Sequence, residues 1–171
     1  MKILVFSDSH TDVETMIKVA EYEKPNAICH CGDHLNDALE LAKQINVPLY
    51  CVAGNTDTAE ADLYEKYVEI GGKRFLLIHG HQYGIGEKDN YWDGLKKMFF
   101  HRDDVDIVLF GHTHEPFIYR CNARWLFNPG SVKARLSNYI NASSYGLINI
   151  NKDTDNIRFE IVQTPNNLLC K

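Results

Sequence analysis

Residues 2–33, KILVFSDSHTDVETMIKVAEYEKPNAICHCGD, decide the fold. An apolar run, Ile3-Leu4-Val5-Phe6, breaks into Ser7-Asp8-Ser9-His10. A helical pattern over 12–23 follows, with Thr11 or Asp12 as its N-cap and Pro25 closing it. A second apolar run, Ala27-Ile28-Cys29, then breaks into Gly32-Asp33. Strands over 2–7 and 26–31 on either side of a helix form a β-α-β unit, so the strands are parallel and the crossover right-handed. The alternation continues with a helix over 35–46, carrying Leu35, Leu39 and Ala42 at helical spacing, and a third strand over 48–53.

The second half changes style. Segments 66–70 and 73–79 flank Gly71-Gly72, a two-residue hairpin signal. Residues 89–100 predict a helix and 106–110 a buried strand. Segments 117–121 and 124–127 pair around Asn122-Ala123, and 144–150 pairs with 156–163 across a turn at Lys152-Asp153-Thr154-Asp155. Parallel crossovers followed by antiparallel hairpins predict an α/β protein of two mixed sheets packed together, with helices outside. The 171 residues contain no Pro/Gly/Ser-rich linker, low-complexity block or internal repeat, so residues 1–171 read as one domain.

Composition narrows the function classes. Apolar residues at 44% and charged residues at 24% exclude a disordered chain. With 18 basic and 23 acidic residues, the net charge of −5 argues against nucleic acid as the main partner, because a phosphate backbone needs a basic face. The five scattered cysteines (Cys29, Cys31, Cys51, Cys121 and Cys170) make a poor disulfide framework and fit buried thiols in a reducing cytosol. The first apolar run is too short for a signal peptide, and no stretch approaches the roughly 20 apolar residues of a membrane span. The chain reads as cytoplasmic, without a membrane partner, and its composition is compatible with a homo-oligomer.

Five apolar runs end in polar clusters of one chemical type: Asp8-Ser9-His10, Gly32-Asp33, Gly54-Asn55-Thr56-Asp57, His79-Gly80-His81 and Gly111-His112-Thr113-His114. Ligands of α/β sheets bind beyond the carboxyl ends of the strands, so these clusters predict one shared site. Asp8, His10, Asp33, Asn55, His79, His112 and His114 offer two carboxylates, one amide oxygen and four imidazoles. One ion rarely uses seven such ligands; two ions sharing a carboxylate would. Asp-x-His and His-x-His direct two ligands to the same side of an extended segment. With no cysteine in the set, mixed O/N ligation suits manganese, iron, zinc, cobalt or nickel.

Asp-x-His, Gly-Asp, Gly-Asn-x-Asp, His and Gly-His-x-His, in this order, resemble the calcineurin-like metallophosphoesterases. His79-Gly80-His81, Gly111-His112-Thr113-His114 and Asn128-Pro129-Gly130-Ser131 resemble their small single-domain bacterial and archaeal branch, which includes phosphodiesterases. The resemblance implies an αββα four-layer sandwich and two divalent ions, manganese first, with iron, zinc, nickel, cobalt or magnesium as alternatives. It implies that Asp8, His10, Asp33 and His114 hold one ion and that Asp33, Asn55, His79 and His112 hold the other, Asp33 bridging. It further implies hydrolysis of a small phosphoester, a phosphodiester or activated monoester, by a metal-bridging hydroxide, with Asp33, Asn55 and His81 as the catalytic candidates.

One position departs from many larger relatives, which carry His directly after Gly-Asn, where it can protonate a leaving group. Thr56 stands there, and a hydroxyl is a far weaker acid than an imidazolium. His81 and His34 are the substitutes in reach of the motifs. His30 and His101 read as structural, Asp57 as a loop-orienting or capping residue, Lys133 and Arg135 as solvated charges, and Tyr83, Tyr91 and Trp92 as core or pocket-wall aromatics. The alternative function is a non-catalytic protein-interaction scaffold, the role the same fold plays in the retromer coat. That relative has lost the bridging Asp and the Gly-Asn amide, whereas Asp33 and Asn55 are present in this chain.

Overall fold

A computed structural model describes residues 1–86, 93–95, 104–133 and 142–169. The first half builds β1 (Lys2–Phe6), α1 (Val13–Glu23), β2 (Ala27–His30), α2 (Leu35–Gln44) and β3 (Leu49–Cys51). The second half builds β4 (Glu65–Ile70), β5 (Lys73–Ile78), β6 (Ile107–Leu109), β7 (Phe117–Cys121), β8 (Arg124–Asn128), β9 (Ser144–Asn151) and β10 (Asn156–Gln163). Single 3₁₀ turns cover Ala61–Leu63 and His81–Tyr83.

Two five-stranded mixed sheets result, ordered β10-β9-β1-β2-β3 and β4-β5-β6-β8-β7. In the first, β1, β2 and β3 run parallel and β9 joins β1 antiparallel, with Ile3 opposite Ile148. In the second, β5, β6 and β8 run parallel, while β4 and β7 return as antiparallel hairpin strands at the edges. The β4–β5 turn falls on Gly71-Gly72 as the sequence predicts, both with φ near +70°.

Alternation along β1 explains the layers. Ile3 and Val5 point between the sheets, where they join Ala27, Cys29, Phe75, Leu77, Ile107, Leu109 and Phe127. Leu4 and Phe6 point outward and pack with Met16, Val19 and Ala20 of α1 and Leu41 of α2. Strands buried on both faces read as continuous apolar runs, which is why these segments show no alternation in sequence. The outer face of the second sheet (Leu76, Ile78, Val108, Leu126) is covered by Ile85 and Leu95. The architecture is the α/β sandwich expected, with two mixed sheets at its centre and helices outside.

The phase of α2 differs from the sequence reading. Leu39 is 48% exposed and Ala42 is also exposed; the inward face carries Asp37, Ala38 and Leu41. Asp37 turns inward because its carboxylate binds Ser9 and Thr11 at the end of β1, and that polar anchor rotates the helix. The helix predicted over 89–100 lies largely outside the described residues; of it, 93–95 are helical. Tyr91, Trp92, His101, Arg135 and Cys170 also lie outside them. Among the described residues, no helix is long and apolar enough to cross a membrane.

Candidate metal centre

The carboxyl ends of β1, β2, β3, β5 and β6 deliver their polar loops to one edge of the sandwich, so the site straddles both sheets. Asp8, His10, Asp33 and His114 each present one donor atom, and all four atoms lie within 4.8 Å of one another. His114 Nε2 lies 3.1 Å from Asp8 Oδ1, and His10 Nε2 lies 3.9 Å from Asp33 Oδ2. A second cluster adjoins it: His79 Nε2 lies 3.3 Å from Asp33 Oδ1 and 3.0 Å from Asn55 Oδ1. The His112 ring stands 5.0 Å from that of His79. Asp33 is thus the carboxylate common to both clusters.

The proton inventory fits cations here. His79 Nδ1 lies 2.8 Å from the Cys31 carbonyl, an acceptor only, so Nδ1 carries the hydrogen. In the neutral ring, Nε2 then turns a lone pair toward the Asp33 and Asn55 oxygens. His10 Nε2 and His114 Nε2 face each other at 3.3 Å. Asp8 Oδ1 is fully buried and has no hydrogen-bond partner. Converging lone pairs with too few hydrogens between them repel, and a buried unpaired carboxylate oxygen is costly. A divalent ion among these donors would turn such contacts into ligation, and the donor set suits hard to borderline metals.

Electrostatics keep the donors available. Burial pushes the Asp8 carboxyl up, but the His114 imidazole close against it, the nearby His79 and the Ser7 hydroxyl outweigh it and hold the group below its ordinary value. Burial, aided by neighbouring imidazoles, pushes His10, His81 and His112 below the ordinary histidine range, which favours the neutral, lone-pair form.

Local structure fixes each loop. Gly54 lies so close to Asp33 that an added Cβ would sit 2.1 Å from Asp33 Oδ1, and one on Gly111 would sit 1.9 Å from Ser7 Oγ. Both glycines are there for space, and neither has a positive φ. Asp8, His10, Asp33, His112 and His114, by contrast, all have φ between 43° and 69°, a left-handed conformation concentrated at this edge. Asp57 takes both roles read from its position: Oδ2 accepts the Gly54 N–H at 2.9 Å, and Oδ1 accepts the Leu35 N–H at 2.8 Å, capping α2.

The remaining candidates are placed around this centre. The His81 ring stands 5.4 Å from His79 and 6.0 Å from His112, and 5.6 Å from Tyr64 on its other side. His34 is on the rim, its ring 5.1 Å from His10. Thr56 donates its backbone N–H to Asp33 Oδ1 at 3.0 Å. Lys133 is less free than a solvated charge: Nζ binds the His10 carbonyl at 3.1 Å. Tyr83 packs at the edge of the second sheet's outer core and bonds Glu65. His30 is fully buried at the end of β2.

Three supporting residues had no role assigned from sequence. Ser7 Oγ donates to Asp8 Oδ2 at 2.6 Å, an oxygen that also accepts the His112 N–H at 3.1 Å. Asn128 Nδ2 donates to the Gly111 carbonyl at 2.9 Å, tying down the His112 loop. Ser131 Oγ lies 2.9 Å from the Asp8 carbonyl. The signal for the last two was the Asn-Pro-Gly-Ser run itself, a polar stretch at the end of a buried strand.

The model of the calcineurin-like phosphoesterase superfamily domain matches residues 1–153. The chain belongs to that family. It is 30% identical to a probable metallophosphoesterase of Mycoplasma genitalium over 155 residues, covering 90% of each chain. It is 26% identical to a phosphodiesterase of Methanocaldococcus jannaschii over 148 residues, covering 76% of this chain and 83% of that one. Among solved structures, Vps29 of Entamoeba histolytica complexed with zinc is similar in fold, with a TM-score of 0.71 at 20% identity, covering 96% of this chain and 100% of the other. This calcineurin-like phosphoesterase therefore carries the family's fold and a candidate metal cluster at its sheet ends.

Proposed function

We propose that this protein hydrolyses phosphodiesters, or activated phosphomonoesters, with two divalent cations, manganese first among them. Asp8, His10, Asp33 and His114 would hold one cation, and Asp33, Asn55, His79 and His112 the other. When bound, such ions lower the pKa of a water toward ~7 and neutralise phosphate charge. The observation that carries this reading is the convergence of histidine nitrogens and carboxylate oxygens with few hydrogens between them, buried Asp8 Oδ1 having only the His114 imidazole against it and no well-aligned hydrogen bond.

The chain's own groups divide the remaining work. Asp33 is held by the Thr56 N–H, so its position is fixed before substrate arrives. His81, half-buried beside His79 and His112 and outside the ligand set, would serve as proton donor or phosphate contact. Thr56 supplies no strong acid, so alcohols that leave readily are favoured, which supports diesters with good leaving groups and activated monoesters over alkyl monoesters. Similarity to a protein named a phosphodiesterase supports the same class. Free Cys29, Cys31, Cys51 and Cys121 support a reducing, cytoplasmic setting.

The test is hydrolysis of an aryl phosphodiester and an aryl monoester with manganese or with chelator, by wild type, Asp33→Ala and His112→Ala. Manganese-dependent turnover that both substitutions abolish is expected. A folded wild type without metal-dependent turnover on either ester would refute the reading and favour a protein-binding scaffold.

A further inference from the structure

Beneath the candidate metal centre runs a chain of buried polar groups that the proposed reaction does not use. His30 and Ser9 are fully buried and Asp37 nearly so. His30 Nδ1 accepts the Gly32 N–H at 3.3 Å, so Nε2 carries the ring hydrogen and faces Ser9 Oγ at 3.3 Å. Ser9 Oγ donates onward to Asp37 Oδ2 at 2.7 Å, and that oxygen also accepts the Thr11 N–H at 2.7 Å. The direction of donation is consistent from end to end, and Ser9 Oγ also lies 3.4 Å from the Asp33 carbonyl, a second and longer acceptor for its hydrogen. Burial pushes the His30 imidazole down to about 4, which keeps it in the neutral form that this pattern needs.

The positions of these links matter more than their number. Ser9 stands between Asp8 and His10, and Gly32 immediately precedes Asp33. The three side chains come from the β1 loop, the end of β2 and the inward face of α2, so they join two of the three loops that hold the first cluster, those after β1 and β2. None of them can touch a substrate, because all three lie beneath the surface. An apolar trio could fill the same volume, with no polar groups to desolvate. We propose that His30, Ser9 and Asp37 are positioning residues: together they set the spacing of Asp8 and His10 from Asp33, and through it the affinity of the first cation position. This inference rests on the proposed assignment of Asp8, His10, Asp33 and His114 as ligands.

Groups that orient metal ligands typically contribute roughly 10–100-fold to metal affinity. The test is a manganese titration of the full chain by calorimetry, comparing wild type with Ser9→Ala and Asp37→Asn. Ser9→Ala breaks the relay at its centre and should weaken binding by about 10–100-fold. Asp37→Asn keeps an acceptor oxygen and should stay within about threefold of wild type. The absorption spectrum of bound cobalt should shift in Ser9→Ala, a readout that a purely structural contribution to stability would not move. If Ser9→Ala does not fold, Asp37→Ala carries the same expectation. Wild-type affinity and an unshifted spectrum in the broken-relay variant would overturn the positioning role alone. A wild type that binds no manganese would overturn the ligand assignment as well.

Discussion

Replacing Gly54 by alanine drives a methyl group into Asp33. The new Cβ would stand 2.1 Å from Asp33 Oδ1, 2.3 Å from its backbone nitrogen and 2.9 Å from its Cα. A carboxylate oxygen could swing aside, but the nitrogen and Cα cannot, so the β2 and β3 loops must part by roughly 1 Å to regain ordinary contact distances. That shift pulls on the Thr56 bond to Asp33 and the Asp57 bond to Gly54. Overpacking of this kind costs about 1–3 kcal/mol, leaving a folded protein. The chemical effect is larger, because misplacing a reacting group by about 1 Å can cost on the order of 10²-fold in rate. Gly72→Ala is the control: its Cβ meets nothing within 4 Å, yet its φ of +78° makes the substitution strained, so it destabilises at a distance from the site. Metal-dependent aryl phosphodiester hydrolysis and thermal melts should be measured on both. A kcat loss near 10²-fold in Gly54→Ala, with Gly72→Ala close to wild type, is expected. Gly54→Ala within threefold of wild-type kcat would refute the claim that the glycine is required by the packing of Asp33.

Three further outcomes follow from the structure. Across a series of aryl diesters, the rate should fall as leaving-group pKa rises, and Thr56→His should flatten that dependence; a flat wild-type plot would argue for a strong general acid already in place. His30, pushed to about 4 in the fold from an ordinary 6.5, is neutral in the native state while the unfolded chain takes up a proton. Its stability contribution is therefore complete above ~6.5 and declines as pH falls toward ~4, by about 3 kcal/mol in all. Urea titrations of metal-free protein between pH 7.5 and 4 should show this decline, and a replacement of His30 that folds should lessen it. Asn128→Ala removes a fully buried side chain that donates to Gly111 and Thr113 and accepts from Gly130. It should cost about 2–3 kcal/mol, lowering the melting temperature by roughly 5–10 °C, with unchanged stability as the contrary result.

The strands were readable because they are buried on both sides, and their apolar runs stop abruptly at Asp8, Asp33, Asn55, His79 and His112. The residue types at these strand ends pointed to one polar edge, whereas the i, i+2 pairs sit on left-handed backbone at Asp8, His10, His112 and His114 rather than on the extended segments their spacing suggested. The phase of α2 was not readable. Leu35, Leu39 and Ala42 make a plausible apolar stripe, but the inward position of Asp37 is set by Ser9, 28 residues away. The same applies to His30, Asn128 and Ser131, whose partners are fixed by tertiary approach rather than by neighbours in the chain. A lone buried histidine on a strand gives no signal of the hydroxyl that will meet it.

The left-handed backbone at Asp8, His10, Asp33, His112 and His114 restricts which side chains these positions can carry. Asp, Asn and His tolerate that conformation better than other non-glycine residues, and β-branched or bulky apolar residues do so poorly. The vocabulary of hard-metal donors and the vocabulary of sharp reversals therefore overlap at this edge. Drift toward valine or isoleucine there would forfeit donor and turn together, whereas exchange among Asp, Asn and His would spare the turn and alter only the chemistry.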